Sequence, residues 1–438
     1  MRLIVRKSVS VGKLVVGVVA SLGLLLMLTS SLAFRNAPHH ATRELEPLDE
    51  MAAPSVPIRP PPLLDAPGSG ALAQLTLSGN LTVHCKESPF VECGLLKRTD
   101  TAGGKTAVKG DPATGRHWRV AVVGTNRWGF RKDAFDFSKC EYSNCVLDAN
   151  VTNQTELVVV YGVLHYDNTD QDKLKQRWPH QLYAMMGWES PFLFYGFMED
   201  EASKWRHGFN LTMTYRVDSD IFTPYSRLAF RPKPPKERPN YMEIARNKTR
   251  SVMWLCGHCL VESKRYEYIR EMRKYIDIDV RGHCGKSCSE EPPCIESLTP
   301  TYKFYLSFEN SLCQDYVTEK FFKLFHADIH VVPVVRGKID YGKYFPEHTF
   351  IDTANFKSAR DLALHLKALG SDLAAYSKYL EHMDLYREIE DYLVTPGCTL
   401  CRALNVKKIE PKIFDIRKWL VEESHCDKDP KDIYGTTV

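Results

Sequence analysis

The alternation of apolar strands and helices from residue 251 to residue 335 restricts the fold more than any other feature of this chain. The pattern predicts strands over 251–256, 276–280 and 329–335, a helix over 261–276, and a further strand and helix between residues 302 and 325. Repeated strand–helix–strand units join parallel strands, so we expect a parallel α/β sheet. Ligands of such sheets bind beyond the carboxyl ends of the strands, beside helix N-termini.

A second α/β unit precedes this one. Strands are predicted over 118–124, which ends in a glycine, and over 157–163, and the Pro-rich stretch 231–239 connects the two units. We therefore divide the folded region into domains at 117–236 and 237–400, both of ordinary domain size, with a C-terminal tail at 401–438.

The N-terminus predicts a membrane anchor. Residues 14–34 carry no charge and are long enough to cross a bilayer core of about 30 Å as a helix. Four Lys or Arg residues precede this run and only Arg35 follows closely, so residues 1–13 are expected in the cytosol and the rest in the lumen. The alternative is a cleaved signal peptide, which usually has a shorter apolar core and a small-residue cleavage site.

Residues 35–116 are rich in Pro, Ala and Gly and have little apolar periodicity, which is typical of a stem. Cys85 and Cys93 lie within this segment and can close a small loop, so its last part is expected to be partly ordered. The net charge of +4 over 438 residues is too small to indicate a nucleic-acid partner.

Cysteines and glycosylation sequons indicate the secretory pathway. The N-x-Ser/Thr sequons lie at Asn80, Asn150, Asn153, Asn210 and Asn247. The chain has 13 cysteines, an odd number, so at least one thiol is free or pairs between chains.

A strand that leads directly into a helix start carries the most specific motif. Phe304, Leu306 and Phe308 alternate as in a strand, and Asp315 is a candidate N-cap for a helix that runs toward Phe325. Tyr316, Glu319 and Lys320 would then share one helical face, where a phosphate can bind at the first turn beside the Lys320 charge. The simpler interpretation is a strand–helix junction with Glu319 and Lys323 as a solvated pair.

This motif reads Phe308-Glu309-Asn310-Ser311, a short gap, then Asp315-Tyr316-Val317-Thr318-Glu319-Lys320, and it closely resembles the signature of the α1,3-fucosyltransferase family. The resemblance extends more thinly from about Trp118 to Leu404. It implies the GT-B architecture, in which two Rossmann-like domains face each other across a cleft. It also implies GDP-fucose as the donor and a Golgi membrane enzyme with a lumenal catalytic domain.

The resemblance implies a set of donor-binding residues, namely Arg265, Asn310, Tyr316, Glu319 and Lys320. Arg265 and Lys320 would neutralise the diphosphate, Glu319 would lie near the fucose, and Asn310 and Tyr316 would orient the donor. Without the resemblance, Arg265 is a surface arginine on a basic helix.

Two features leave the donor site open. A slip of one residue in the alignment would exchange Arg265 for Lys264. This chain also has Gly257-His258 in the loop where family members commonly carry Ser-Asn, so the backbone N–H groups of this loop remain to bind a phosphate but a side-chain contact of the family is missing.

Trp188-Glu189-Ser190-Pro191 resembles the Glu-Ser-Pro element of the family, whose glutamate is taken as the general base. A carboxylate near Trp188, Phe192 and Phe194 would have a raised pKa, which suits proton abstraction from a sugar hydroxyl. The alternative is a loop carboxylate that caps a turn before Pro191. As base, Glu189 would support one displacement with inversion at the anomeric carbon.

Asp218-Ser219-Asp220 has the spacing of a metal-binding pair, and the neighbouring Tyr215 and Arg216 are candidates for lining the cleft. The resemblance argues against the metal, because the family uses cationic side chains on the leaving group. We therefore expect no required cofactor or metal.

The cysteine spacings allow two interpretations. Cysteines from 256 to 294, with His258 and His283, have spacings that fit a zinc site, but an oxidising lumen favours disulfides. The resemblance implies that Cys398 and Cys401 bond to cysteines of the first domain, here Cys140 and Cys145.

The acceptor has two candidates within the family, the innermost GlcNAc of an N-glycan and the GlcNAc of an N-acetyllactosamine antenna. The form Ser-Phe-Glu-Asn-Ser-x-Cys-x-Asp-Tyr is more similar to invertebrate members that modify the N-glycan core. A relative that binds glycan or nucleotide without turnover is a further alternative. The sequence leaves the oligomeric state open.

Overall fold

The computed structural model describes residues 72–77, 81–93, 117–124, 132–161, 177–194, 205–233, 235–288, 294–295, 297–326, 329–389, 396–406 and 409–434. The strands of these residues are β1 (Leu72–Leu77), β2 (Leu81–Lys86), β3 (Val91–Glu92), β4 (Trp118–Val123), β5 (Cys145–Asp148), β6 (Leu157–Tyr161), β7 (Leu182–Gly187), β8 (Leu211–Thr214), β9 (Ile221–Phe222), β10 (Leu228–Phe230), β11 (Arg250–Leu255), β12 (Ile278–Arg281), β13 (Tyr302–Phe308), β14 (Val332–Arg336), β15 (Ile351–Asp352) and β16 (Tyr386–Glu388). The α-helices are α1 (Tyr241–Asn247), α2 (Arg265–Met272), α3 (Leu298–Thr301), α4 (Glu319–Phe322), α5 (Tyr341–Tyr344), α6 (Ala359–Ser371), α7 (Leu373–Met383) and α8 (Pro396–Val406).

Two parallel sheets form the two halves of the molecule. The first sheet has the order β5-β4-β6-β7-β8-β9 and the second has the order β12-β11-β13-β14-β15. Every residue of β6 and β14 is buried, and apart from Arg336 at the end of β14 both strands are apolar, as expected of strands covered on both faces. The prediction of a parallel α/β sheet is confirmed in both halves.

The helix predicted over 261–276 is shorter in the structure and spans only the residues of α2. Lys264, at its N-cap position, has a left-handed backbone with φ of 49°, so the helix cannot extend toward residue 261. The loop before it is fixed by a disulfide between Cys259 and Cys284.

The N-terminal part of the second half comes from the segment assigned to the stem. A disulfide joins Cys85 and Cys93, and β3 between them pairs with β10, which also pairs with β16. Phe90 is fully buried and packs against Phe222 and Phe345, each with ring centroids 5.2 Å away. The packing therefore places residues 85–93 and β10 with the second half, which differs from the predicted boundaries at 116 and 236.

The C-terminal segment covers the first sheet rather than forming a separate tail. Helix α8 packs on one face of this sheet, and two disulfides, Cys140–Cys398 and Cys145–Cys401, fasten it there. These bridges join the two regions that the family resemblance linked. Residues 414–421 pack on the other face. The C-terminal segment thus covers both faces of the first sheet.

A buried arginine anchors this segment. Arg216 is 2% exposed, its guanidinium lies 4.2 Å from the Trp419 ring, and it donates to Ser424 Oγ at 3.1 Å. Asp218 accepts two hydrogen bonds from the same guanidinium, at 2.9 and 2.6 Å. Asp220 accepts from the backbone and hydroxyl of Thr212 instead. Arg216 and Asp218 therefore serve structural contacts and do not line a cleft.

The remaining cysteines are mostly paired. Disulfides join Cys288 to Cys294 and Cys313 to Cys426, while Cys256 is a buried free thiol. With Cys259 and Cys284 also bonded to each other, the thiols of the alternative zinc site are largely used in disulfides. No pattern in the sequence pairs Cys313 with Cys426, which lie 113 residues apart.

Three sequon asparagines, Asn150, Asn153 and Asn247, are exposed. Asn210 is half-buried, and its side-chain oxygen accepts a hydrogen bond of 3.0 Å from the backbone N–H of Tyr183. Asn80 and the predicted anchor at 14–34 lie outside the described residues. None of the helices within the described ranges is long and apolar enough to cross a membrane.

Phe90 tests whether the segment around residue 90 belongs to the folded core. We expect Phe90→Ala to lower the free energy of unfolding by about 3–5 kcal/mol, because it leaves a cavity among packed rings. Chemical denaturation of the variant measures this change. Ile413→Ala, at a side chain that is 80% exposed, is the control. Equal effects of both substitutions would show that residues 85–93 are dispensable to the core.

Candidate active site

The second sheet has a topological switch point between β11 and β13. Strand β12 lies on one side of this pair, and β14 and β15 lie on the other. Ligands of open α/β sheets bind beyond the carboxyl ends of the strands at such a point. The residues that follow β11 and β13 are therefore the first candidates for a binding site.

Arg265 lies between the ends of these two strands. It is the first residue of α2, is 3% exposed, and donates to the carbonyl oxygens of Phe308 at 2.8 Å and His258 at 2.9 Å. The side chain of Lys264 instead points outward to Asp429 and is 41% exposed. The structure therefore places Arg265, and not its neighbour, inside the switch point.

Two buried polar atoms at this point have no hydrogen-bond partner among the described residues, namely Nε of Arg265 and Oδ1 of Asn310. The backbone carbonyl of Asn310 accepts from the N–H of Ser263 at 3.1 Å, which holds the residue beside the loop that leads to Arg265. An unpaired buried donor or acceptor costs about 1–3 kcal/mol. A polar ligand that met both atoms would recover this cost.

The helix expected to have Asp315 as its N-cap begins three residues later. Thr318 is the N-cap of α4, and Asp315 has a positive φ of 58°. The Asp315 carboxylate accepts a hydrogen bond of 3.1 Å from the backbone N–H of Val217 in the first half. Residues 310–317 thus form an irregular segment, the signature loop, and Tyr316 does not share a helical face with Lys320.

Lys320 lies in a small polar cluster at the start of α4. Its ammonium donates to Thr318 Oγ1 at 2.7 Å and lies 3.3 Å from Glu309 and 3.2 Å from Glu319. Burial opposes the charge on Lys320, but the two carboxylates more than offset it, and its pKa is raised. Burial likewise opposes ionisation of Glu319, but the neighbouring Lys320 charge holds the pKa of that carboxyl below its ordinary value.

Glu189 follows β7 in the first sheet and reaches this cluster from the other half. The Tyr316 hydroxyl donates to its Oε2 at 3.4 Å. Burial raises the pKa of Glu189, in the direction expected from sequence, while the Lys320 charge opposes the rise and the Glu319 charge adds to it. Charges of the second half therefore act on a carboxyl group of the first half.

Buried contacts that sequence reasoning missed hold the two halves together here. The hydroxyls of Ser190 and Ser311 are 2.7 Å apart and both are buried. Within residues 117–236, Tyr225 donates to the carbonyl of Trp188 at 2.7 Å, next to Glu189. Ser190 and Ser311 stand within the two recognised motifs, but nothing in the sequence shows that they meet.

The arrangement has the parts that group transfer from an anionic leaving group needs. A carboxylate of raised pKa can accept a proton, and two cationic side chains, Arg265 and Lys320, lie near enough for their charges to interact. His258 is close enough for its charge to act on Glu189, and its side chain is exposed. Tyr215 contributes its ring, 4.9 Å from that of Tyr316.

Comparison with known families gives two adjoining matches. The family model "Fucosyltransferase, N-terminal" matches residues 120–226, and "Glycosyltransferase family 10 (fucosyltransferase) C-term" matches residues 245–419. The first range contains Glu189, and the second contains Arg265 and the signature loop.

Curated relatives agree with these matches. The chain is 36% identical over 266 residues to alpha-(1,3)-fucosyltransferase C of Drosophila melanogaster and 31% identical over 290 residues to glycoprotein 3-alpha-L-fucosyltransferase A of the same species. These alignments cover 56% and 64% of this chain but only 60% and 55% of those relatives, less than two thirds of their length.

A third relative is covered more fully. The chain is 30% identical over 304 residues to 4-galactosyl-N-acetylglucosaminide 3-alpha-L-fucosyltransferase 9 of Bos taurus, an alignment that covers 67% of this chain and 80% of that relative. With both parts of the family matched in order along the chain, this protein belongs to glycosyltransferase family 10, the fucosyltransferase family.

Proposed function

We propose that this protein transfers L-fucose from GDP-fucose to a GlcNAc hydroxyl in α1,3 linkage, with inversion at the anomeric carbon. The observation that carries the proposal is the meeting of Glu189, from the first half, with Tyr316 and the Lys320 charge, from the second. Family membership and the names of the relatives, all α1,3- or 3-α-L-fucosyltransferases, support the reaction class.

In the proposed reaction, Glu189 accepts the proton of the acceptor hydroxyl as that oxygen bonds to the anomeric carbon. The bond from this carbon to the diphosphate breaks, and GDP leaves with the electron pair. Negative charge then grows on the diphosphate, where Arg265 and Lys320 would stabilise it. Glu319 would face the positive charge that develops on the sugar.

Asn310 and Arg265 would bind the donor directly, because each has a buried polar atom that no described residue satisfies. Tyr316 would keep Glu189 in place. With two cations available to the leaving group, we propose that no metal or other cofactor is required, and we expect transfer to persist in a chelator such as EDTA.

We propose the core GlcNAc of N-glycans as the acceptor, on the basis of the motif form described above. The relatives' names support both acceptor classes, since one is a glycoprotein fucosyltransferase and another is named for 4-galactosyl-N-acetylglucosaminide. For location, we propose a single-pass Golgi membrane protein with a lumenal catalytic domain, from the apolar run at 14–34 and the sequons.

Transfer by the full chain, from GDP-fucose to a panel of core N-glycan and N-acetyllactosamine acceptors, tests the reaction and the acceptor together. We expect product on core acceptors. Product only on antennae would replace the acceptor assignment, and GDP binding without any product would favour the non-catalytic relative.

Substitution of the base tests its role. We expect Glu189→Gln to lower kcat by roughly 10²–10⁴-fold, the range for loss of a general base, while GDP affinity changes little. Steady-state kinetics and calorimetry measure the two quantities. Glu347→Gln, at an exposed carboxylate outside the candidate site, is the control. Retained activity in Glu189→Gln would remove Glu189 from the mechanism.

The pH profile tests the Tyr316 contact. Glu189 must be ionised to act, so kcat/KM is expected to fall as the pH drops through its raised pKa. The Tyr316 hydrogen bond lowers that pKa, so Tyr316→Phe should move the acid limb to higher pH. Tyr215→Phe removes a buried hydroxyl that has no partner within the described residues and is the matched control. An unshifted limb in Tyr316→Phe would contradict the contact.

A further inference from the structure

Glu309 is a fully buried carboxylate to which the proposed mechanism gives no role. It follows β13 directly at the switch point and has no solvent exposure. Burial raises its pKa, while the Lys320 charge and the bonds from Thr318 oppose the rise. A buried carboxylate is costly unless hydrogen bonds or an opposite charge compensate it. The groups that bond to Glu309 lie on two sides of the donor site.

The backbone of Glu309 is bonded to the segment that carries Arg265. Its carbonyl oxygen accepts from Ser263 Oγ at 2.7 Å, and Ser263 lies two residues before Arg265. Its N–H donates to the carbonyl of Arg336 at 3.0 Å, and the Arg336 guanidinium donates in turn to the Ser263 carbonyl at 2.6 Å. The position of Glu309 relative to Arg265 is therefore fixed.

The side chain of Glu309 is bonded to the segment that carries Lys320. Its Oε1 accepts from the Thr318 N–H at 2.9 Å, and its Oε2 lies 2.8 Å from the Thr318 hydroxyl and 3.3 Å from the Lys320 ammonium. Thr318 is the N-cap of α4, so the same carboxylate fixes the start of the helix that presents Glu319 and Lys320.

The charge arrangement explains why a carboxylate is needed. The Arg265 charge disfavours the charge on Lys320, and burial adds to that cost. Of the two carboxylates beside Lys320, Glu319 has a side chain that is 58% exposed, whereas Glu309 is wholly enclosed and held by Thr318. Glu309 is thus the fixed counter-charge, and Glu319 is free to face a ligand.

We propose that Glu309 is a positioning residue that sets the separation of Arg265 and Lys320, by bonding to the Arg265 segment through its backbone and to Lys320 through its carboxylate. This inference rests on the proposed function, in which both cations receive the leaving diphosphate. Without the Glu309 charge, the ammonium would keep its ion pair with Glu319, 3.2 Å away, and would shift toward that side. Small displacements of groups that stabilise a transition state are costly in rate.

A double-mutant cycle in the full chain tests the proposal. Glu309→Gln keeps the shape of the side chain and an acceptor for the Thr318 N–H but removes the charge. We expect kcat to fall by about 100-fold, the cost of misplacing a catalytic group by about 1 Å. Lys320→Met should also lower kcat and GDP affinity, and the double variant should resemble Lys320→Met, because Glu309 acts through Lys320.

The control is Asp384→Asn. Asp384 is also a buried carboxylate of the second half, bonded to the Tyr241 hydroxyl at 2.7 Å and to Arg387, but it has no contact with the site residues. We expect this variant to unfold at a lower temperature with unchanged kcat. If Glu309→Gln does not fold, Glu309→Asp, which keeps the charge on a shorter side chain, takes its place in the cycle.

Additive losses in the cycle would overturn the proposal, as would a Glu309→Gln enzyme that is less stable but has the wild-type kcat. GDP affinity, measured by calorimetry for the same four proteins, separates this result from failure of the proposed function. If the wild type binds GDP but transfers nothing, the proposed reaction fails, and non-additive GDP affinities still support the role of Glu309. If the wild type does not bind GDP, both proposals are overturned.

Discussion

The buried hydrogen bond between Ser190 and Ser311 joins the two halves beside the site, which takes its residues from both. The two parallel sheets share no strand, so the base on one sheet and the cations on the other have no common backbone ladder. The distance between the base and the cations therefore depends on side chains of the signature loop. One of these, Asp315, accepts a hydrogen bond from Val217 of the first half. Buried polar partners are costly to separate, since neither regains water until the contact opens.

The same contacts explain why the signature loop is not helical. In a helix that began at Asp315, the backbone groups of this segment would bond to one another. They would then not be available for contacts outside the helix. Instead, Asp315 takes a left-handed backbone, the N–H of Gln314 donates to the carbonyl of Ser424, and a disulfide joins Cys313 to Cys426. The conformational cost of a positive φ is offset by these bonds, and Tyr316 is thereby turned toward Glu189.

Local sequence pattern was sufficient for the parts of the fold that local physics decides. Apolar runs predicted β6 and β13, and strand–helix order predicted a helix that contains Arg265, although this helix begins four residues later than expected. Contacts between residues far apart in the chain could not be predicted from the sequence. The sequence around Phe90 did not indicate that this ring lies in the core of the second half. Nor did the sequence around Ser190 indicate a partner 121 residues away. The resemblance supplied candidate residues, but only the structure showed Glu309 between them.

Three carboxylates within one polar cluster are set apart by their surroundings. Burial raises the pKa of Glu189, whereas at Glu319 the charge and hydrogen bond of Lys320, together with the Lys323 charge and a backbone hydrogen bond, outweigh burial and hold the pKa low. Glu309 is buried, and its carboxylate oxygens accept a hydrogen bond from Thr318 and pair with the Lys320 ammonium. A group that must take up a proton benefits from a raised pKa, and a group that must stay negative beside a developing positive charge benefits from a lowered one. The same residue type thus supports three roles: the proposed base, the proposed electrostatic partner of the sugar, and the residue that positions the cations. The environment of each carboxylate, rather than its identity, distinguishes these roles.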